Sequence, residues 1–110
     1  MEVKDLAENL GLDVEDYNEL FDLYMQTTSS DLEQLKSALD SGDAEKAHER
    51  AHSIKGASGN LGLTELFEAA KAIDDRARLN SLGGLEKMVQ ELSEKYEKVV
   101  EALGRGHLRN

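Results

Sequence analysis

Three residues in the pentapeptide "HERAH", His48, Glu49 and His52, are of types and at a spacing that could do chemistry. On a helix, imidazoles at i and i+4 share a face and can hold one zinc ion, with the glutamate between them as base for a bound water. Read from its later histidine, the same stretch supports a second chemistry. His52 is followed by Lys55 and Gly56 and, further on, by Gly62. An exposed imidazole offers an unprotonated nitrogen near neutral pH, a competent nucleophile toward an activated phosphoryl group. A lysine one turn on supplies a cation for the anion so formed. The choice is between a metal and a phosphoryl group.

The helix that must carry these residues narrows that choice. With 3.6 residues per turn, Ala44, Ala47, Ala51, Ile54, Ser58 and Leu61 form one side, a core face built mostly from small residues. His52 lies about 140° from the centre of that face on an ideal wheel, so it points to solvent. Around it on the exposed side stand His48, Glu49, Lys55, Gly56 and Gly59. Each glycine inside a helix costs about 0.5–1 kcal/mol relative to alanine. On an outward face that cost has no packing return, and it suggests that something large must come close to His52.

The rest of the chain keeps helical period throughout and shows no strand-like alternation. Val3, Leu6, Ala7 and Leu10 make a short amphipathic helix stopped by Gly11. Asp13 is a natural N-cap for a long helix to about Ser41, striped by Val14, Tyr17, Phe21, Tyr24, Thr28, Leu32, Leu35 and Leu39. Gly42 ends it and Asp43 caps the third helix; Gly62 closes that one and Thr64 is expected to cap a fourth. Leu66, Ala69, Ala70, Ile73 and Ala77 stripe the fourth helix. After the turn "NSLGG", a fifth carries Leu85, Met88, Val89, Leu92, Tyr96, Val99 and Leu103. Four long helices with short connections run antiparallel to their neighbours. The expected fold is all-α: an antiparallel up-down four-helix bundle with a short additional N-terminal helix. Residues 1–103 form the single domain with its bundle core at 13–103, and residues 104–110 form a mobile tail.

Composition bounds the function. The chain has 110 residues, enough for one small domain. It has no cysteine, which excludes disulfides, thiolate metal sites and cysteine nucleophiles. Thirteen basic against 23 acidic side chains give a net charge of −10, which a nucleic-acid backbone would repel. The N-terminus "MEVKDLAENLG" lacks the apolar core of a signal peptide and no apolar run could span a membrane, so the expected compartment is the cytoplasm.

On "AHSIKGASGNLG", with His52, Lys55, Gly56 and Gly62 in place, the sequence resembles the histidine phosphotransfer (HPt) domain family of multistep phosphorelays. The resemblance extends through the helical plan of residues 13–103. It implies that His52 carries the phosphoryl group as a phosphoramidate on Nε2, that Lys55 stabilises the phosphate, and that Gly56 leaves room for the partner. His48 is not a family position; with Glu49 and Gly59 it is expected on the partner-binding surface. The implied partners are response-regulator receiver domains and a hybrid sensor kinase. The sequence has no P-loop, no nucleotide-binding glycine loop and no carboxylate cluster for Mg²⁺. The expectation is therefore a monomeric phosphocarrier without autokinase activity and without a cofactor or metal of its own, the Mg²⁺ being supplied by the partner receiver.

The metal reading is the weaker one. A catalytic zinc needs a third protein ligand and a cleft, and Lys55 stands where a metzincin motif would have glycine. Glu65 or Glu68 could supply the third ligand only from another helix. A non-phosphorylated helical adaptor is the remaining alternative. Tyr17, Tyr24 and Tyr96 fall on apolar stripes and are expected in the core, with Met25 at its edge; His107 lies in the tail without a motif.

Overall fold

The structure, a computed structural model, describes residues 2–104. Its order is α1 (Val3–Asn9), α2 (Val14–Ser41), α3 (Ala44–Asn60), α4 (Thr64–Arg78) and α5 (Leu85–Val99), followed by a π-helical turn, Val100–Gly104. No strand occurs among the described residues. Of the expected tail only Gly104 is described, and residues 105–110, His107 among them, lie outside the described residues.

The helix ends follow from cap chemistry. Asp13 Oδ1 accepts from the Asp16 amide at 2.8 Å, and Asp43 Oδ1 accepts from the Lys46 amide at 3.0 Å. At the end of α3, Gly62 is left-handed (φ 73°), its N–H bonded to Gly59 O and the next N–H, of Leu63, to Ser58 O at 3.0 Å. That turn seats Leu63 in the core, so α4 begins one residue later with Thr64 already inside it. The expected Thr64 cap is thus corrected: no side chain caps α4. α4 closes with the same pattern as α3, on Asn80 at φ 58°.

The four long helices close a ring, α2 on α3, α3 on α4, α4 on α5 and α5 back on α2, with α1 against α2. Neighbours run antiparallel. Tyr17 near the start of α2 donates its hydroxyl to Leu61 O just past the end of α3, at 2.7 Å. Glu65 at the start of α4 meets Lys95 near the end of α5 at 3.5 Å. Tyr17, Phe21, Leu35, Ile54, Leu66, Ile73, Leu85 and Leu92 are buried between the helices. Ala47 and Ala51 let α3 sit close to its neighbours. Val14, the first residue of α2, departs from its expected stripe and is 38% exposed.

Two polar pins fix the register of α3 on α2. The Tyr24 hydroxyl lies 2.9 Å from Ser58 Oγ, and the buried Asp31 accepts from Ser53 Oγ at 2.7 Å and Arg50 Nη1 at 3.2 Å. Burial pushes the phenols of Tyr17 and Tyr24 up to about 12, so both remain protonated. Beyond Val99 the last helix does not continue regularly to Leu103 as its stripe suggests. The backbone widens into the π turn and Gly104 rests on Met25, where a Cβ would come 3.3 Å from Sδ. No helix among the described residues is long and apolar enough to cross a membrane.

Candidate functional site

His48, His52 and Lys55 follow one another at i, i+4 and i+7, so they line one edge of α3, the edge beside α4. The His52 side chain is the most open, 55% exposed, against 27% for His48 and 22% for Lys55. All three turn toward a single carboxylate on α4, that of Asp74, which is fully buried. His48 Nδ1 donates to Asp74 Oδ1. His52 Nδ1 donates to Oδ2 at 3.2 Å, and Lys55 Nζ stands 3.5 Å from the same oxygen. Arg78, one turn on from Asp74, donates its Nε to Oδ1 at 3.2 Å.

A buried carboxylate is tolerated because these four donors surround it. Burial alone would raise the Asp74 carboxyl, but the hydrogen bonds from His48 and His52 and the charge of Arg78 outweigh it, and the net direction is down. Asp74 is therefore ionised at neutral pH and can only accept. An acceptor at Nδ1 places the proton of neutral His52 on that nitrogen and leaves the lone pair on Nε2. The site thus orients an exposed imidazole with its nucleophilic nitrogen free.

The lowered Asp74 pKa has a consequence for stability. Its stabilising contribution is fully present above the unfolded value, near 3.8, and is lost as pH falls through the lower folded value. Asp74→Asn should therefore destabilise the protein at neutral pH by about 1–3 kcal/mol, the loss of charge-assisted bonds to a buried acceptor. The gap to wild type should narrow as pH drops below about 4. Thermal melts of both proteins at neutral and acid pH check this; a gap that stays constant with pH would refute it.

The surroundings of three neighbouring residues are more specific than a helical wheel shows. Lys55, on the exposed side of the wheel, folds its long side chain back to Asp74, so its ammonium stands near the carboxylate that holds His52. Gly59 is exposed, but its Cα faces the neighbouring helix more closely than Gly56 does. A Cβ there would meet the Phe67 ring of α4 at 3.1 Å, so a side chain at this position requires that ring to shift. His48 lies partly covered against Asp74 rather than standing on the open face. Gly56 is as expected, with nothing within 4 Å of a Cβ position. Glu49 is exposed and joins none of the hydrogen bonds to Asp74.

Asp74 itself escaped the sequence reading. A signal for it exists: it falls four residues after Ala70 and three before Ala77, an acid on the inward stripe of α4. Also unforeseen is an apolar groove between α2 and α3 lined by Leu20, Leu23, Thr27, Ala57 and Asn60. Leu20 and Leu23 are 44% and 60% exposed, and Ala57 follows Gly56 directly.

Among protein-family models, the Hpt domain matches residues 19–102. Among solved structures, the chain is similar to histidine-containing phosphotransfer protein B (HptB) from Pseudomonas aeruginosa PAO1. The two share 26% identity with a TM-score of 0.85, over 96% of this chain and 91% of that one. A comparison with curated proteins found no match. Neither match supports the metal-hydrolysis reading of His48, Glu49 and His52 or the adaptor reading.

Proposed function

This chain belongs to the Hpt domain family, a family of histidine phosphotransfer in phosphorelays, and from that premise we propose that His52 is its phosphoacceptor. The observation that carries the assignment is the pairing of exposure with orientation: His52 is open to solvent while its Nδ1 is tied to a buried carboxylate. In the transfer, Nε2 attacks the phosphorus of a receiver's aspartyl phosphate. An N–P bond forms, the P–O bond breaks, and the electron pair leaves with the receiver's carboxylate. The proton on Nδ1 stays hydrogen-bonded to Asp74, whose negative charge offsets the positive charge that develops on the ring. Transfer to the next receiver runs the same step backward.

Lys55 supports the phosphoryl group by exchanging its ion pair with Asp74 for one with the phosphate oxygens. Mg²⁺ and most of the charge neutralisation belong to the receiver, and the chain acts as a carrier without autokinase activity, consistent with the absence of a nucleotide-binding glycine loop from its sequence. The receiver seats over His52 and the open ground at Gly56, with the exposed Leu20 and Leu23 beside Ala57 as its apolar footing. Receivers of response regulators and of a hybrid sensor kinase fit this role alike. The protein does this work as a cytoplasmic monomer, and gel filtration checks the oligomeric state.

Incubation of the protein with a receiver domain carrying radiolabelled phosphate tests the reading. Label should move to this chain, be lost in acid and persist in base, as a phosphoramidate does. A label stable to acid, or no transfer from any receiver of the source genome, would overturn it.

A further inference from the structure

His48 is not used by the transfer chemistry above, yet it holds the same carboxylate as His52. The two rings lie with centroids 6.0 Å apart, one on each oxygen of Asp74. Resting on the assignment of His52 as phosphoacceptor, we propose that His48 is a positioning residue for phosphoryl acceptance. It clamps Oδ1 of Asp74, and its own charge decides how much of the carboxylate's negative charge is left for His52.

The clamp follows from what else could hold Oδ1. Arg78 reaches that oxygen too, but its side chain is half exposed and water competes for the bond. The His48 ring is better covered. With Oδ1 held, Oδ2 is presented to His52 Nδ1 and Lys55 Nζ together. Without it, the carboxylate can turn and the His52 ring loses its fixed partner.

The electrostatic part follows from the groups that face His48. From α4 these are Asp74 and Arg78; from α3 they are Glu45 one turn before it, His52, and Lys55 through Asp74. On the α2 side of α3, Asp31 and Arg50 pair with each other. While His48 is neutral, Asp74 answers the charge growing on the His52 ring. Once His48 is protonated, one more cation sits on the same carboxylate and that answer is weakened. Acceptance therefore falls more steeply with acid than the loss of the His52 lone pair alone would make it.

The test is the rate at which phosphoramidate labels the full chain between about pH 5 and 8, the range in which imidazoles ordinarily change charge. This donor needs no docking surface. In the step, its P–N bond breaks and ammonia leaves as the bond to Nε2 forms. Wild type is compared with His48→Leu, which removes the donor, and with His48→Asn, whose amide nitrogen stands where Nδ1 stood but does not ionise. At the alkaline end His48→Leu should be slower by about fivefold, the loss of one hydrogen bond's orientation, and His48→Asn should be within about twofold of wild type. Toward acid pH the ratio of His48→Asn to wild type should rise, since only wild type gains the extra cation; taking the ratio cancels the donor's own titration. If His48→Asn is as slow as His48→Leu, or its ratio to wild type is flat with pH, the proposal is wrong. Should His48→Leu not fold by circular dichroism, the pH ratio for His48→Asn decides alone. His52→Gln run in parallel separates the two ideas: normal labelling of that variant defeats the phosphoacceptor assignment itself, whereas its loss with unresponsive His48 variants defeats only the role of His48.

Discussion

His52→Gln should abolish phosphoryl acceptance, from a receiver and from a small donor alike. Glutamine keeps an amide that can still donate to Asp74, but its nitrogen has no available lone pair, so the hydrogen bond survives while the nucleophile is lost. The expected drop is to background, more than about a hundredfold, as for removal of any covalent nucleophile. The side chain is 55% exposed, so stability should change by less than about 0.5 kcal/mol and the loss cannot be put down to unfolding. His48→Gln is the matching control. Its ring holds the same carboxylate through the same nitrogen and is, among the described residues, the other imidazole able to offer a free Nε2, but it is half as exposed. Most acceptance should survive that change, because the glutamine amide still supplies a donor near Oδ1. Normal labelling of His52→Gln, with loss in His48→Gln, would move the acceptor one turn back along α3.

How much of this was readable beforehand depends on which physical signals stay within one helix. The stripe Tyr17, Phe21, Tyr24, Thr28, Leu32 and Leu35 is buried as its spacing required, and Asp13 and Asp43 cap the helices they precede. These are local effects, fixed by the 3.6-residue turn and by free amides at a helix start. The exposure of His52 and the open ground at Gly56 follow from the same wheel. The errors arise where a second helix intervenes. The wheel gives the direction of Gly59 but not the reach of Phe67, which leans across from α4. It puts Lys55 outside, but a four-carbon stem can bend back, and a buried anion gives it reason to. Asp74 is the clearest case. Reading for apolar period treats an acid on the stripe as an interruption, and only the packing of α4 against α3 shows three side chains of another helix waiting for it. Thr64 failed as a cap for a tertiary reason as well, since the core takes Leu63 first.

The separation of Gly56 from Gly59 sharpens what a bulky residue beside His52 should do. Because a Cβ at Gly56 meets nothing, Gly56→Leu removes a helix penalty of about 0.5–1 kcal/mol without a clash, and thermal stability should hold or rise. The same is not expected at Gly59, where an added methyl must push Phe67 aside. Leucine at position 56 would, however, stand one turn from His52 on its open side, over the ground where a receiver's active site has to approach. Transfer from a phosphorylated receiver should fall by about a hundredfold or more, because reacting atoms kept even 1 Å from their attack geometry lose the benefit of positioning. Phosphoramidate is small enough to pass the leucine, so its labelling of His52 should stay within a few-fold of wild type. Gly56→Ala, with one methyl, should fall between. The decisive quantity is the ratio of receiver-driven to small-donor labelling in each protein. Obstruction lowers that ratio in the order Gly, Ala, Leu while melting temperature stays level or climbs. If Gly56→Leu lowers both labelling rates equally, the glycine acts on the imidazole itself; if the variant unfolds, it serves the helix. Either result would remove partner clearance as the reason for a glycine in the middle of α3.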